Sequence, residues 1–142
     1  ACRAGLAINE ATARDLELNN NLAYTLAKHL NDPEAALPYA QRASQAAPFN
    51  AAVLDTEGWV YFMSGRFRDA DRVLQRAITI ATGPDELVPA YLHLAQSKKA
   101  TGDTNEARKN ILRASEELKK ASKTIQEQYG AEVRALFEEL NP

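Results

Sequence analysis

Two histidines, His29 and His93, one cysteine, Cys2, and a handful of serines are the side chains in this 142-residue chain that could serve as metal ligands or nucleophiles. Neither histidine has a Cys, Asp or Glu at a spacing suited to a metal. A single cysteine forms no internal disulfide and no Cys-built metal site. Ser64, Ser97, Ser115 and Ser122 sit in ordinary helix or loop contexts, with no nucleophile-elbow pattern around them. The glycines occur singly, so no loop is built to cradle a phosphate. These residues point away from an enzyme and imply no cofactor and no metal. The chemistry that remains is recognition, carried by one tryptophan, Trp59, with Phe62 and Met63 close behind it and Tyr24 farther back. Such a set either packs a core or anchors a partner.

These side chains need elements to hold them, and the elements repeat. Ala36 and Ala70 lie 34 residues apart, as do Ala43 and Ala77; Ala70 to Ala107, Ala77 to Ala114 and Gly65 to Gly102 are each 37 apart. A shared spacing across independent positions marks one helical hairpin read three times. The middle copy is the clearest. Ala51 to Ser64 carries Leu54, Gly58, Tyr61 and Phe62 at helical spacing, Gly65 breaks the helix, and a second helix from about Asp69 to Ile80 carries Ala70, Val73, Leu74 and Ala77. Gly83-Pro84 is expected to close this unit. The first copy pairs a helix around Leu16 to His29 with one from Pro33 to Gln45, started by Asp32 as N-cap and Pro33 at N1. Pro38 predicts either a bend in that helix or a start later than Pro33. The third copy runs from about Asp85 to Ala100, with Pro89 tolerated in or near the first turn, and returns after Gly102. Beyond Ser115 the pattern stays helical, as one helix or as two with a joint near Ala121 to Lys123. Glu116 and Lys120 are placed there as an i,i+4 pair, and Lys119, Lys120 and Lys123 read as a solvated face.

The bulk numbers agree with one globular domain: 45% hydrophobic and 25% charged residues, with six Gly and six Pro at discrete points. A net charge of -2 gives no basic footprint for nucleic acid, and no apolar run reaches the roughly 18 residues of a spanning helix. The chain opens without Met or a signal pattern and reads as a piece of something longer. Ala1-Cys2 could be the remnant of a lipidation site, though an ordinary small residue near an end is the commoner case.

These spacings resemble the tetratricopeptide repeat (TPR), a helix–turn–helix unit of 34 residues. In the middle unit Leu54, Gly58 and Tyr61 match the large, small and aromatic residues of the first helix, and Ala70, Leu74 and Ala77 the small–large–small set of the second. The first unit matches through Leu22, Ala23, Ala36, Ala40, Ala43 and Pro48, and the third through Tyr91, Leu94, Ala95, Gly102, Ala107, Ile111 and Ala114. The stretch Leu54-Asp55-Thr56 before Gly58-Trp59 is most similar to bacterial members. The resemblance implies an all-α TPR-type solenoid of three hairpins and a C-terminal capping helix. Its expected divisions are a leading segment 1–15, repeats at 16–50, 51–84 and 85–118, and a cap at 119–142. Glu57 departs from the pattern, standing where the family has an apolar residue; it either reaches past its neighbours to water or a basic partner, the commoner case, or is a buried carboxylate within a polar network. Lys98 in an aromatic position implies shallower packing there.

In such domains the first helices of successive hairpins line a concave groove where partners bind. Carrying those positions over gives Asn20 and Tyr24, then Asp55, Trp59, Phe62 and Met63, then His93, Gln96 and Lys99. The Lys/Asn/Asn/Lys/Arg set that grips a C-terminal carboxylate in chaperone-binding members reads Asn20, Tyr24, Thr56, Pro89 and His93 here, so that clamp is absent. The resemblance implies a module holding a protein or peptide partner, as a scaffold in a larger assembly. The alternative is a spacer or self-association element forming a weak homodimer. The compartment stays open between cytoplasm and a periplasmic or envelope site.

Overall fold

The computed structural model describes the backbone of residues 2–142 and the side chains from residue 12 onward. The lipidation reading made on Ala1-Cys2 therefore lies outside the described residues. Seven helices and no strand occur among the described residues: α1 (Cys2–Lys28), α2 (Pro33–Ala46), α3 (Ala51–Met63), α4 (Phe67–Ile80), α5 (Pro84–Ala100), α6 (Thr104–Leu118) and α7 (Lys123–Leu140). Consecutive pairs α1–α2, α3–α4 and α5–α6 form antiparallel hairpins, and the odd-numbered helices also touch one another in the order α1, α3, α5, α7. This is an all-α solenoid.

Each hairpin turns on one residue in the left-handed region: Asn31 (φ 50°), Gly65 (φ 75°) and Gly102 (φ 84°). Gly enters that region without a Cβ penalty, and Asn is the residue that tolerates it next best. The two glycine turns are locked alike, Arg66 N–H donating to the Tyr61 carbonyl and Asp103 N–H to that of Lys98, each at 2.9 Å. Helix starts are capped by side chains that accept an orphan backbone N–H: Asp32 from Ala35, Asn50 from Val53, Asp103 from Glu106 and Ser122 from Ile125.

The two internal prolines sit inside their helices. α2 starts at Pro33 with Pro38 inside it, so no later start occurs. α5 opens with Gly83 as N-cap and Pro84 at N1, which places Pro89 just past its first turn. Each proline removes one i to i−4 bond, and the carbonyls left over belong to Glu34 and Asp85, both exposed to water. Gly83-Pro84 thus begins the third hairpin. α1 continues well before Leu16, where the first helix was expected to begin. The joint beyond Ser115 is real: α6 ends at Leu118 and α7 restarts after Ser122. There Lys120 pairs with Glu117 at 3.0 Å instead of with Glu116.

Three apolar clusters form the core, and each joins one hairpin to the first helix of the next. Ala23, Ala27, Ala36, Ala40 and Val60 bind α1 and α2 to α3. Leu54, Tyr61, Val73, Leu74 and Leu94 bind α3 and α4 to α5, and Leu92, Ile111, Leu118, Val133 and Leu136 bind α5 and α6 to α7. The periodic alanines Ala36, Ala70, Ala107, Ala43, Ala77 and Ala114 are fully buried, letting backbones approach where the helices cross.

α3 contacts α1, α2, α4 and α5, so it has almost no side facing water. That decides between the two readings of Glu57 in favour of burial. Glu57 is 7% exposed, buried with Asp55 and Thr56 on the same helix, and does not extend into solvent. Lys98 is half-buried and ion-paired to Asp71 of α4 at 2.7 Å, with Ser97 Oγ donating to the same carboxylate at 2.6 Å. The Asp71 carboxylate holds the Lys98 amine above its ordinary pKa. A polar tie between α4 and α5 thus stands where the repeat pattern has an aromatic residue.

Candidate functional site

The odd-numbered helices share one face, and each contributes one ring to it. Tyr24 of α1 lies 5.6 Å from Trp59 of α3, centroid to centroid. Trp59 stacks on His93 of α5 at 5.9 Å and 29°, and His93 meets the edge of Tyr129 of α7 at 6.1 Å and 80°. Their positions, 24, 59, 93 and 129, follow the repeat spacing, so helix periodicity itself delivers a ring to the same height in each first helix. Ring pairs at 4.5–7 Å add about 0.5–1.5 kcal/mol each beyond area burial, and tilted or edge contacts are the favourable ones.

Hydrogen bonds fix the ladder. Asp55, one turn before Trp59, accepts from His93 Nδ1 at 2.7 Å, and both side chains are at least nine-tenths buried. A carboxylate can only accept, so the proton sits on Nδ1; in the neutral ring Nε2 is then an open acceptor. Tyr24 Oη accepts from Lys28 Nζ at 2.7 Å and from Gln128 Nε2 at 3.3 Å, joining α1 to α7. Burial raises the Tyr129 phenol well above its ordinary pKa, with the negative charge of Asp55 adding to the effect.

The ladder floors a pocket of about 180 Å³. α1 contributes Asn20 and Tyr24, α3 Ala52, Asp55, Thr56 and Trp59, α5 Asp85, Glu86, Pro89 and His93, and α7 Ile125 and Tyr129. Asn20 Oδ1 is buried without a hydrogen-bond partner. Asp85 accepts from the backbone N–H of Ser122 at 2.7 Å, which draws its pKa below the ordinary value and pins the start of α7 to the start of α5. A second recess of about 490 Å³ lies toward the C-terminal ends of the same helices, lined by Phe62, Gln96, Lys99 and Ala100 and by Glu132, Ala135, Leu136 and Glu139 of α7. Gln96 Oε1 is likewise buried and unpartnered, and Lys99 is ion-paired to Glu139.

Of the residues singled out in the sequence, Asn20, Tyr24, Asp55, Trp59 and His93 come together in the first pocket, and Phe62, Gln96 and Lys99 in the second. Met63, the last residue of α3, lines neither. Trp59 and Phe62 are each divided between core and groove, since both also pack on buried clusters. The sequence reading missed the α7 wall, Ile125, Tyr129, Glu132 and Leu136, because α7 was taken as a cover. The spacing of 36 residues from His93 to Tyr129 was the available signal. No group of three or more His, Cys, Asp or Glu side chains that could hold a metal occurs among the described residues. No helix among them is long and apolar enough to cross a membrane.

Comparison with known proteins places this architecture. No family model matches the chain. A TPR repeat-containing protein of Pseudomonas aeruginosa is 34% identical over 73 residues, 51% of this chain, and the match spans only 12% of that relative's length. Among solved structures, the type III secretion chaperone SycD of Yersinia enterocolitica, in complex with a peptide of the translocator YopD, superposes with a TM-score of 0.71 at 18% identity, over 88% of this chain and 91% of SycD. Repeat spacing, hairpin geometry and these two likenesses converge on one architecture: the chain has the fold of a tetratricopeptide-type helical repeat domain.

Proposed function

We propose that this domain binds an extended segment of a partner protein along the face lined by α1, α3, α5 and α7, as a scaffold within a larger assembly. The observation that carries this reading is the groove itself. Two recesses lie side by side on that face, each with an aromatic wall and each with a buried side-chain amide oxygen, Asn20 Oδ1 or Gln96 Oε1, that lacks a donor. A buried acceptor without a donor costs about 1–3 kcal/mol, and a partner backbone N–H or donor side chain would recover it. SycD, which shares the fold, is seen with a bound peptide, which supports a protein partner here. The pocket of about 180 Å³ falls below the roughly 300–1,000 Å³ typical of small-molecule sites. It has room for one side chain of a longer ligand.

Trp59→Ala would test the groove poorly, because Trp59 also packs on the core cluster of α1 and α2. Ala52 is exposed and lines the pocket, so Ala52→Phe fills the space while removing no packing. Short linear peptides selected by display against the wild-type domain should lose at least about tenfold in affinity for Ala52→Phe, equivalent to about 1.4 kcal/mol, while its urea midpoint stays unchanged. Undiminished binding to Ala52→Phe would overturn the groove reading.

A further inference from the structure

We propose that the first pocket takes an arginine side chain of the partner segment, packed against the ring ladder and hydrogen-bonded by the acceptors around it. This rests on the groove reading above and specifies the residue that the groove selects.

The charge of the pocket is one-sided. Asn20 Oδ1 is an acceptor with no donor, and the Asp55 carboxylate, which accepts from His93 Nδ1, keeps lone pairs for a second donor. Thr56 adds no free donor, since its hydroxyl donates to the Ala52 carbonyl at 3.1 Å. Three carboxylates, Asp55, Asp85 and Glu86, are among the lining residues, and no lysine or arginine is. Lys28, the cation nearby, is engaged by Tyr24 Oη. A purely apolar side chain would leave Asn20 Oδ1 unpaired, and an acidic one would meet like charge.

A guanidinium answers both features of the site. It is planar, always charged and carries five N–H donors, so it can pack against the aromatic floor of the pocket while donating to carboxylate and amide oxygens at its rim. The two aspartates are already positioned, Asp55 by His93 and Asp85 by Ser122. The acceptors are therefore organised before any ligand arrives, which lowers the ordering cost of binding.

The test uses otherwise identical alanine–serine host peptides with a single central arginine, citrulline or norleucine. Citrulline keeps the shape and loses the charge. Trp59 is the sole tryptophan, so its fluorescence reads occupancy of this pocket directly. The arginine peptide is expected to quench Trp59 and to bind about tenfold more tightly than the citrulline peptide, with affinity falling as salt rises. Glu86→Gln, on the rim, should weaken the arginine peptide and leave the norleucine peptide unchanged. Equal or tighter binding of citrulline or norleucine would overturn the arginine assignment while leaving a peptide groove in place. Display-selected peptides that bind, sense Ala52→Phe and carry no arginine would do the same. Failure of all three host peptides, with display peptides also indifferent to Ala52→Phe, would remove the groove reading along with it.

Discussion

At Gly58 the backbone of α3 comes so close to α4 that a Cβ built on it would lie 2.5 Å from Leu74 Cγ and 2.6 Å from Leu74 Cδ2. Leu74 is fully buried within the cluster that joins α3, α4 and α5, so it has no free space to move into. Gly58→Ala should gain about 0.5–1 kcal/mol in helix propensity and lose more than that to overpacking, about 1–3 kcal/mol. The expected result is a lower urea midpoint with an unchanged m-value, and a midpoint at or above wild type would contradict the crossing geometry. Gly58 was legible in the sequence because the repeat demands a small residue there. Its neighbour Glu57 was not. Burial of Glu57 follows from α3 being enclosed by four other helices, a tertiary fact that no local spacing records.

At the scale of elements, the helix ends were the easiest features to read. Asp32 before Pro33, Gly65 and Gly102 announce their roles through backbone chemistry that acts within a few residues. The place of α7 was the hardest. Its apolar positions are the same whether it covers an end or continues the row of first helices, and only its packing on both α5 and α6 decides. The Asp85–Ser122 bond is part of that decision, because it ties the start of α7 to the start of α5. Its contribution depends on pH with a definite sign. The folded-state pKa of Asp85 is lowered from 3.8, so the stabilisation is present above the unfolded value and is lost as pH falls through the lower folded one. Asp85→Asn should therefore melt below wild type at neutral pH, and the gap should close on acidification through the ordinary carboxylate range. A gap that persists unchanged to strongly acidic pH would mean that the carboxylate charge is not what holds the joint.

Across the whole molecule the core is divided among three clusters, each shared between adjacent hairpins, and this sets how the domain should come apart. A solenoid is stabilised by repeat interiors and nearest-neighbour interfaces, so damage to one end need not reach the other. The long tie here is Gln128 to Tyr24 across the groove, an exposed hydrogen bond at 3.3 Å, too weak to make the array a closed ring. Val133 of α7 is fully buried against α5 and α6. Val133→Asp places an unpaired charge there, at a cost of several kcal/mol, and should undock α7. Amide hydrogen exchange would then show faster opening in α5, α6 and α7, while α1 to α3 keep their protection because their cluster contains no α7 residue. The groove would lose Ile125 and Tyr129, so peptide binding should fall even though Tyr24, Trp59 and the pair Asp55–His93 remain in place. Uniform loss of protection from α1 to α7 would instead show one indivisible cooperative unit, with the groove walls folding and failing together.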